Sequence, residues 1–205
     1  MIYLHRYRWH HRDLGVRLRR TKPPTEQPMD LATVVAHLRL EPGAETGPEQ
    51  ATLERMLAAA TGHFERYCAC AVMRQEWTMT MRAFPPYRAS LVLPYPPLVD
   101  VASIDVDGDA QDIADYALEL DDRMPGAVHP TSGQWPLMTD LSAAEVVFEC
   151  GRDQADVPED MRQAILLAIA SWYENRESLT QFVLTPMIEL GWESLCGHYR
   201  EAGFA

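Results

Sequence analysis

The side chains best suited to bind a metal ion are few, and their spacing is poor. His63, Cys68 and Cys70 lie within one stretch, and Cys196 and His198 lie near the C-terminus. Neither set has the paired C-x-x-C or Cys–His spacing of a zinc site. We therefore interpret these residues as structural and expect neither a metal nor another cofactor.

Three aspartates alternate along the sequence DVDGD. Asp105, Asp107 and Asp109 are spaced like the first ligands of a calcium loop, but the glycine is misplaced and Tyr116 stands where the bidentate glutamate is required. The Asp107–Gly108 pair is instead typical of a tight hairpin turn, which needs positive φ. We predict a solvated hairpin here.

No sequence motif marks a catalytic nucleophile. The four cysteines, Cys68, Cys70, Cys150 and Cys196, have no disulfide framework and indicate free thiols in a reducing compartment. A Cys–His pair assembled from distant positions stays open as a thiol hydrolase, but G-x-S-x-G, H-E-x-x-H and a glycine-rich phosphate loop are all missing. The prediction is that the protein is not an enzyme.

Charge divides the chain into a basic arm and an acidic body. Residues 1–22 carry seven basic residues and one acid, whereas the other 183 residues carry 11 basic and 29 acidic groups, for a net charge of −12. The arm's arginines, interleaved with aromatic residues, fit either nucleic acid or an acidic protein surface, and we favour a protein partner. The acidic body repels phosphates. The candidate contact residues of the arm are Arg6, Arg8, Arg12, Arg17, Arg19 and Arg20.

Hydrophobic periodicity predicts the elements in order. A short helix capped by Asp30 precedes a helix over residues 48–67, for which Thr46 and Glu49 are spaced as a capping box. Four to six short strands follow, among them QEWTMTM, YALEL and EVVFEC. A long helix begins at Pro158. No stretch approaches the roughly 20 apolar residues needed to cross a bilayer, and no secretory signal or membrane association is expected.

These elements predict an α+β fold. Two N-terminal helices and a long C-terminal helix form a bundle, with a small antiparallel β-subdomain inserted and extended terminal arms. The predicted segments are a basic arm and proline-rich hinge (1–28), N-terminal helices (29–70), an inserted β-subdomain (71–152), a long central helix (153–178) and a C-terminal partner-binding tail (179–205).

The central helix is apolar on most of its circumference, which indicates two covered flanks. One flank is expected against residues 48–67 and the other against a neighbouring copy. The candidate subunit-interface residues are Ile165, Ile169, Trp172 and Tyr173.

Several segments together resemble a known family. The stretches MDLATVVAHLRL, RQEWTMTMRAFP, LVLPYPPLVDVASIDVDGD, VPEDMRQAILLAIASWYENRES and MIELGWESLCGHYR, in this order over about residues 29 to 200, are similar to the head-to-tail connector (adaptor) proteins of tailed phages and phage-like gene transfer agents. The arginine-rich first 22 residues depart from that pattern.

The resemblance implies a structural virion protein of the neck, made in the host cytoplasm. It implies a ring, typically of twelve copies, beneath the portal protein, which extends the channel for DNA and docks a stopper or tail-terminator protein. It also implies that the C-terminal segment engages the portal. The candidate portal-binding residues are Leu184, Ile188, Leu190, Trp192, Leu195 and Tyr199.

Two expectations separate this interpretation from its rivals. Removal of residues 179–205 is expected to abolish portal binding and to leave the helical core folded. A nucleic-acid-binding regulator that uses the basic arm would instead bind duplex DNA as a monomer or dimer, with a steep salt dependence. A stopper or tail-completion protein stays open as a variant of the connector interpretation.

Overall fold

A computed structural model describes residues 14–85, 89–138, 143–174 and 186–200, and in the last segment it describes the side chains from Glu189 onward. The helices are α1 (Leu31–His37), α2 (Gln50–Cys68), α3 (Glu159–Glu174) and α4 (Pro186–Arg200). The strands are β1 (Arg17–Lys22), β2 (Gln75–Met81), β3 (Leu91–Leu93), β4 (Leu98–Val106), β5 (Asp109–Ala110), β6 (Tyr116–Glu119), β7 (Gly126–Pro130) and β8 (Ala144–Cys150). The predicted α+β class is confirmed.

The described residues divide into two compact units. A helical unit comprises residues 25–73 and 152–200, and a β-unit comprises residues 14–24 and 74–151. None of the described helices is both long enough and apolar enough to span a membrane.

Of the two side-chain caps predicted for the N-termini of α1 and α2, the structure contains the first and lacks the second. The Asp30 carboxylate accepts the backbone N–H of Thr33 at 2.8 Å, so the predicted cap of α1 is confirmed. The capping box of α2 is wrong: Glu49 makes no side-chain cap bond, and the Thr46 hydroxyl donates to the carbonyl of Gly43. Glu49 instead accepts a hydrogen bond from the Tyr173 hydroxyl at 3.1 Å, which leaves the first turn of α2 without a side-chain cap.

All four helices contribute to one hydrophobic core. α3 contacts α1, α2 and α4, and α2 also contacts α4. Fully buried residues of this core include Val34, Leu53, Phe64, Met161 and Cys196. The C-terminal helix is thus part of the folded unit, which the sequence analysis did not predict.

The larger sheet of the β-unit has five antiparallel strands in the order β1-β2-β8-β4-β5. In β2, Met79 and Met81 are buried and lie opposite Val146 and Ala144 of β8, which confirms the predicted half-buried strand. Arg17–Lys22 pairs with β2 as the edge strand, with a bulge between Arg20 and Lys22. The second half of the basic arm is therefore a strand of the chain's own sheet.

A second sheet has three antiparallel strands in the order β3-β7-β6. Strand β6 of this sheet matches the predicted YALEL segment, and strand β8 of the larger sheet matches the predicted EVVFEC segment. Strands β1 and β7 were not predicted. The predicted hairpin between β4 and β5 is confirmed, since Asp107 and Gly108 have φ of 57° and 90°.

Candidate assembly surfaces

Hydrogen bonds and aromatic contacts fix α4 on the helical core. The Tyr199 hydroxyl donates to Oδ1 of Asp160 at 2.6 Å. The Tyr67 hydroxyl donates to Oε1 of Glu193 at 3.1 Å, and the Arg200 guanidinium both donates to that hydroxyl and lies 4.7 Å from the Tyr67 ring centroid. These contacts dock about the last two turns of the helix.

This docking determines which tail residues are available to a partner. Trp192 and Tyr199 are only 3% and 6% exposed, Leu195 is half-buried, and Leu190 is 71% exposed. Leu184 lies outside the described residues, and the side chain of Ile188 lies outside them as well. Of the described candidates, Leu190 alone presents most of its side chain to solvent.

The expected effect of deleting the tail needs a correction. Removal of residues 179–205 would remove Trp192, Cys196 and Tyr199 from the hydrophobic core. The deletion would therefore disturb the helical unit itself, because large core side chains contribute several kcal/mol of stability, on the order of 3–5 for Trp or Phe.

The candidate interface residues of α3 divide into two pairs. Ile165 and Ile169 are fully buried in the chain's own core, so they have no surface to offer to a neighbouring copy. Besides α2, the helices α1 and α4 of the same chain pack on α3. Trp172 and Tyr173 are half-buried, and Trp172 packs edge-on against His63 with 6.2 Å between ring centroids.

The six candidate arginines of the arm fall into three groups by their place in the structure. Arg6, Arg8 and Arg12 lie outside the described residues. Arg20 donates to Oε1 of Gln75 at 3.3 Å. Arg17 and Arg19 are exposed on β1.

The register of the five-stranded sheet brings charged residues together on its more polar face. Arg17 pairs with Thr80 and Arg19 with Thr78 of β2. On β8 this face carries alternate residues, Glu145, Val147 and Glu149, and on β4 it carries their partners Asp105, Ser103 and Asp100. We call this surface the polar sheet face, Arg17 and Arg19 its basic edge, and Asp100, Asp105 and Glu145 its acidic side.

The acidic side was not predicted from the sequence. Its signal was the two-residue alternation of AEVVFEC, in which Glu145, Val147 and Glu149 share one face. The pairing of β8 between β2 and β4 is a long-range choice that this alternation does not specify.

All four cysteines lie in the described part of the chain, where they are buried and form no disulfide. The Cys68 thiol donates to the carbonyl of Cys196 across 3.8 Å. This interaction with Cys196, followed by burial, raises the pKa of Cys68 far above its usual range, and interaction with Cys68 and burial raise the pKa of Cys70. Both thiols are therefore held as neutral S–H groups, a state that disfavours nucleophilic chemistry.

His63 is a packed aromatic residue of the helical unit. Its ring stacks on Trp192 with 5.0 Å between centroids. Burial, with a smaller effect of the Arg66 charge, lowers the pKa of His63. In the described parts of the chain no group of three or more His, Cys, Asp or Glu side chains is placed to hold a metal ion.

Two aspartates of the hairpin accept backbone hydrogen bonds, one from within the turn and one from the residue that precedes β8. Oδ1 of Asp105 accepts the N–H of Gly108 at 2.8 Å, and Oδ1 of Asp107 accepts the N–H of Ala143 at 2.9 Å. Both carboxylates thus stabilise the turn, as the hairpin interpretation requires.

Comparison with known proteins gives matches at the level of structure. No family model and no curated protein matches the chain. A chain of the virion of a native gene transfer agent particle superposes with a TM-score of 0.75 at 22% identity, over 92% of this chain and 97% of that one. A chain of the neck of the empty particle, computed with C6 symmetry, gives the same values. The protein has the fold of a chain in a gene transfer agent neck.

A third solved structure agrees with this fold. A chain of the neck of the native particle, computed with C12 symmetry, matches with a TM-score of 0.64 at 20% identity, over 90% of this chain and 97% of that one. Because these matches cover nearly the full length of both chains, the shared fold includes both the helical unit and the β-unit.

Proposed function

We propose that this protein is a structural adaptor of the neck of a gene transfer agent or tailed-phage particle. The observation that carries the proposal is the match to neck chains over 97% of their length. Fold alone does not specify function. The order of the sequence segments that resemble connector proteins supports the same conclusion independently.

In this proposal the helical unit is the bundle of an adaptor and the β-unit is its inserted subdomain. Copies form a ring, of twelve subunits by analogy with the neck computed with C12 symmetry. The ring lies beneath the portal protein, extends the DNA channel, and docks the stopper or tail-terminator protein. The chain's net charge of −12 suits a channel wall, because repulsion of phosphates keeps DNA from binding to it.

The role is mechanical and does not include catalysis. The cysteines are buried, Cys68 and Cys70 have raised pKa values, and Asp105 and Asp107 accept hydrogen bonds from backbone N–H groups. These features suit a protein whose activity is assembly.

The contact with the portal is assigned to the region around the start of α4. Leu190 is exposed on a helix that is otherwise docked through Trp192 and Tyr199. An exposed leucine on a fixed helix is a suitable apolar anchor for a partner groove. Leu184 and Ile188 belong to the same proposal on the strength of their positions in the sequence.

The proposal is tested by imaging particles from a producing strain in which this protein carries a small visible fusion. Additional density in the neck, repeated around the particle axis, is expected. Density in the capsid shell or the tail tip would contradict the proposal. A gel-shift assay with duplex DNA tests the rival regulator, which would give a specific, salt-sensitive complex.

A further inference from the structure

Among the described residues, the charged residues of the polar sheet face that form no ion pair have opposite signs at its two sides. Lys22 bonds to Glu76 at 2.6 Å, and Arg74 bonds to Glu149 at 3.3 Å. In each of these two pairs the positive and negative charges cancel within the chain. In the part of the chain that the structure describes, the basic edge and the acidic side have no ion pair.

We infer that the polar sheet face joins copies of this chain head to tail, with the basic edge of one copy against the acidic side of the next. The inference rests on the proposed ring and names the surface that builds it. The partner is thus a second copy of the same chain.

Charge complementarity supports this partner. The basic edge presents Arg17 and Arg19, and the acidic side presents Asp100, Asp105 and Glu145. Arg17, Arg19, Asp100 and Glu145 are exposed, and Asp105 is half-buried. Guanidinium groups bind carboxylates with two parallel hydrogen bonds, which gives such contacts a defined geometry.

The separation of the two patches determines the kind of assembly. At about 4.8 Å per strand, the basic edge on β1 lies about 10 Å from Glu145 on β8 and about 14 Å from Asp100 and Asp105 on β4. One copy can therefore engage a different neighbour through each patch. A contact between unlike patches is heterologous, and repetition of such a contact closes into a ring when the rotation allows it.

The same charges argue against nucleic acid as the occupant. Asp100, Asp105 and Glu145 would repel phosphates approaching the same face, and two arginines offer few phosphate contacts. The basic N-terminal residues 1–13 of the same chain are a further possible occupant of the acidic side, and the experiment below separates this outcome.

The experiment exchanges charges in the full-length protein. One variant carries Arg17→Glu and Arg19→Glu, a second carries Asp100→Arg and Glu145→Arg, and a third carries all four changes. The matched controls are Arg55→Glu with Arg123→Glu, and Glu41→Arg with Glu54→Arg, all at exposed positions that are not part of the face. Association is measured by sedimentation velocity and native mass spectrometry at about 0.01 M salt, where the Debye length is about 30 Å, and at about 1 M.

The expected result is loss and recovery of assembly. The wild type forms oligomers larger than a dimer at low salt and dissociates at high salt. Each two-site variant associates at least about tenfold more weakly, because like charges then meet at the contact. The four-site variant recovers association, and an equimolar mixture of the two two-site variants forms alternating oligomers. The controls behave as the wild type does.

Each other outcome overturns the inference. A wild type that is monomeric at low salt, a dimer as the largest species, or a four-site variant that stays dissociated would each contradict head-to-tail joining through this face. If residues 1–13 occupy the acidic side instead of a second copy, the full-length chain stays monomeric at low salt and associates only after their deletion, which would also overturn it. Circular dichroism melting curves verify that every variant is folded.

The inference and the proposed function fail in distinguishable ways. Charge reversal that leaves a neck ring intact in particles would refute the surface and retain the function. Recovery of assembly by the four-site variant, for a protein that imaging places outside the neck, would retain the surface and refute the function.

Discussion

The Tyr199 hydroxyl donates a hydrogen bond to Oδ1 of Asp160 across 2.6 Å and connects the last turn of α4 to the first turn of α3. The Asp160 carboxylate also lies at the positive end of the α3 dipole. One hydroxyl thus fastens the C-terminal helix to the start of the central helix, 39 residues earlier. The C-terminal segment is by this contact part of the folded core.

Replacement of Tyr199 by Phe is expected to lower the free energy of unfolding by about 1–2 kcal/mol, because a hydrogen bond to a charged group is lost. Urea denaturation followed by circular dichroism measures the change. Tyr116→Phe is the matched control, since the Tyr116 hydroxyl has no hydrogen bond in the described part of the chain. Equal effects of the two substitutions would contradict a specific role for the Tyr199–Asp160 bond.

Two residues of α4 are expected to differ sharply when they are substituted. Trp192→Ala should destabilise the helical unit by about 3–5 kcal/mol, because a buried indole packed on His63 and Tyr67 is removed. Leu190→Ser should change stability by less than about 0.5 kcal/mol, because the side chain is largely in solvent. Thermal melting measures both.

The Leu190→Ser variant also tests the proposed portal contact. Leu190→Ser is expected to weaken co-purification with the portal protein while the melting temperature is unchanged. Portal binding by this variant at the wild-type level would remove Leu190 from the contact, and the assignment would then depend on Leu184 and Ile188.

Stability is expected to fall with acidification through His63. Because burial lowers the pKa of His63 in the folded protein, the unfolded chain takes up a proton more readily. This contribution to stability is complete above the ordinary histidine pKa of about 6.5 and is lost as the pH falls toward the folded pKa. Urea denaturation at pH values across this window, compared with His63→Phe, isolates the effect.

The Phe variant retains a ring between Trp172 and Trp192 but cannot titrate. The unfolding free energy of the wild type should therefore decrease relative to that of the variant as the pH falls. A difference that is constant with pH would show that His63 does not contribute to the acid sensitivity.

The cysteines are expected to be inert in the native protein. All four are buried, and the pKa values of Cys68 and Cys70 are raised, so little thiolate is available. A chromogenic disulfide reagent should react slowly with the folded chain and with four thiols after unfolding in guanidinium. Rapid stoichiometric labelling of one native cysteine would favour the thiol hydrolase that the sequence left open.

Local pattern predicted several elements correctly. The cap of α1 by Asp30 and the hairpin at Asp107–Gly108 depend on neighbouring residues, and both are confirmed. The burial of Met79 and Met81 in β2 followed from its two-residue alternation, whereas the burial of Thr78 and the partial exposure of Trp77 did not. In each case the sequence contains the interaction that stabilises the element.

The errors came from long-range pairing. The segment Arg17–Lys22 is too polar to predict as a strand, and its pairing with β2, 54 to 63 residues away, stabilises it. Part of the apolar surface of α3 was assigned to a neighbouring copy because the sequence does not show that α1 and α4 of the same chain also pack on this helix. A surplus of apolar residues indicates that a partner exists but does not say which segment provides it.

The central claim is that copies of this protein form a ring in the neck of a particle. The most direct measurement is single-particle electron microscopy of the protein bound to its purified portal complex. The account predicts a closed ring of identical subunits, coaxial with the portal and with an open central channel. Single copies attached without a common axis, or no complex at protein concentrations well above those in a producing cell, would contradict it.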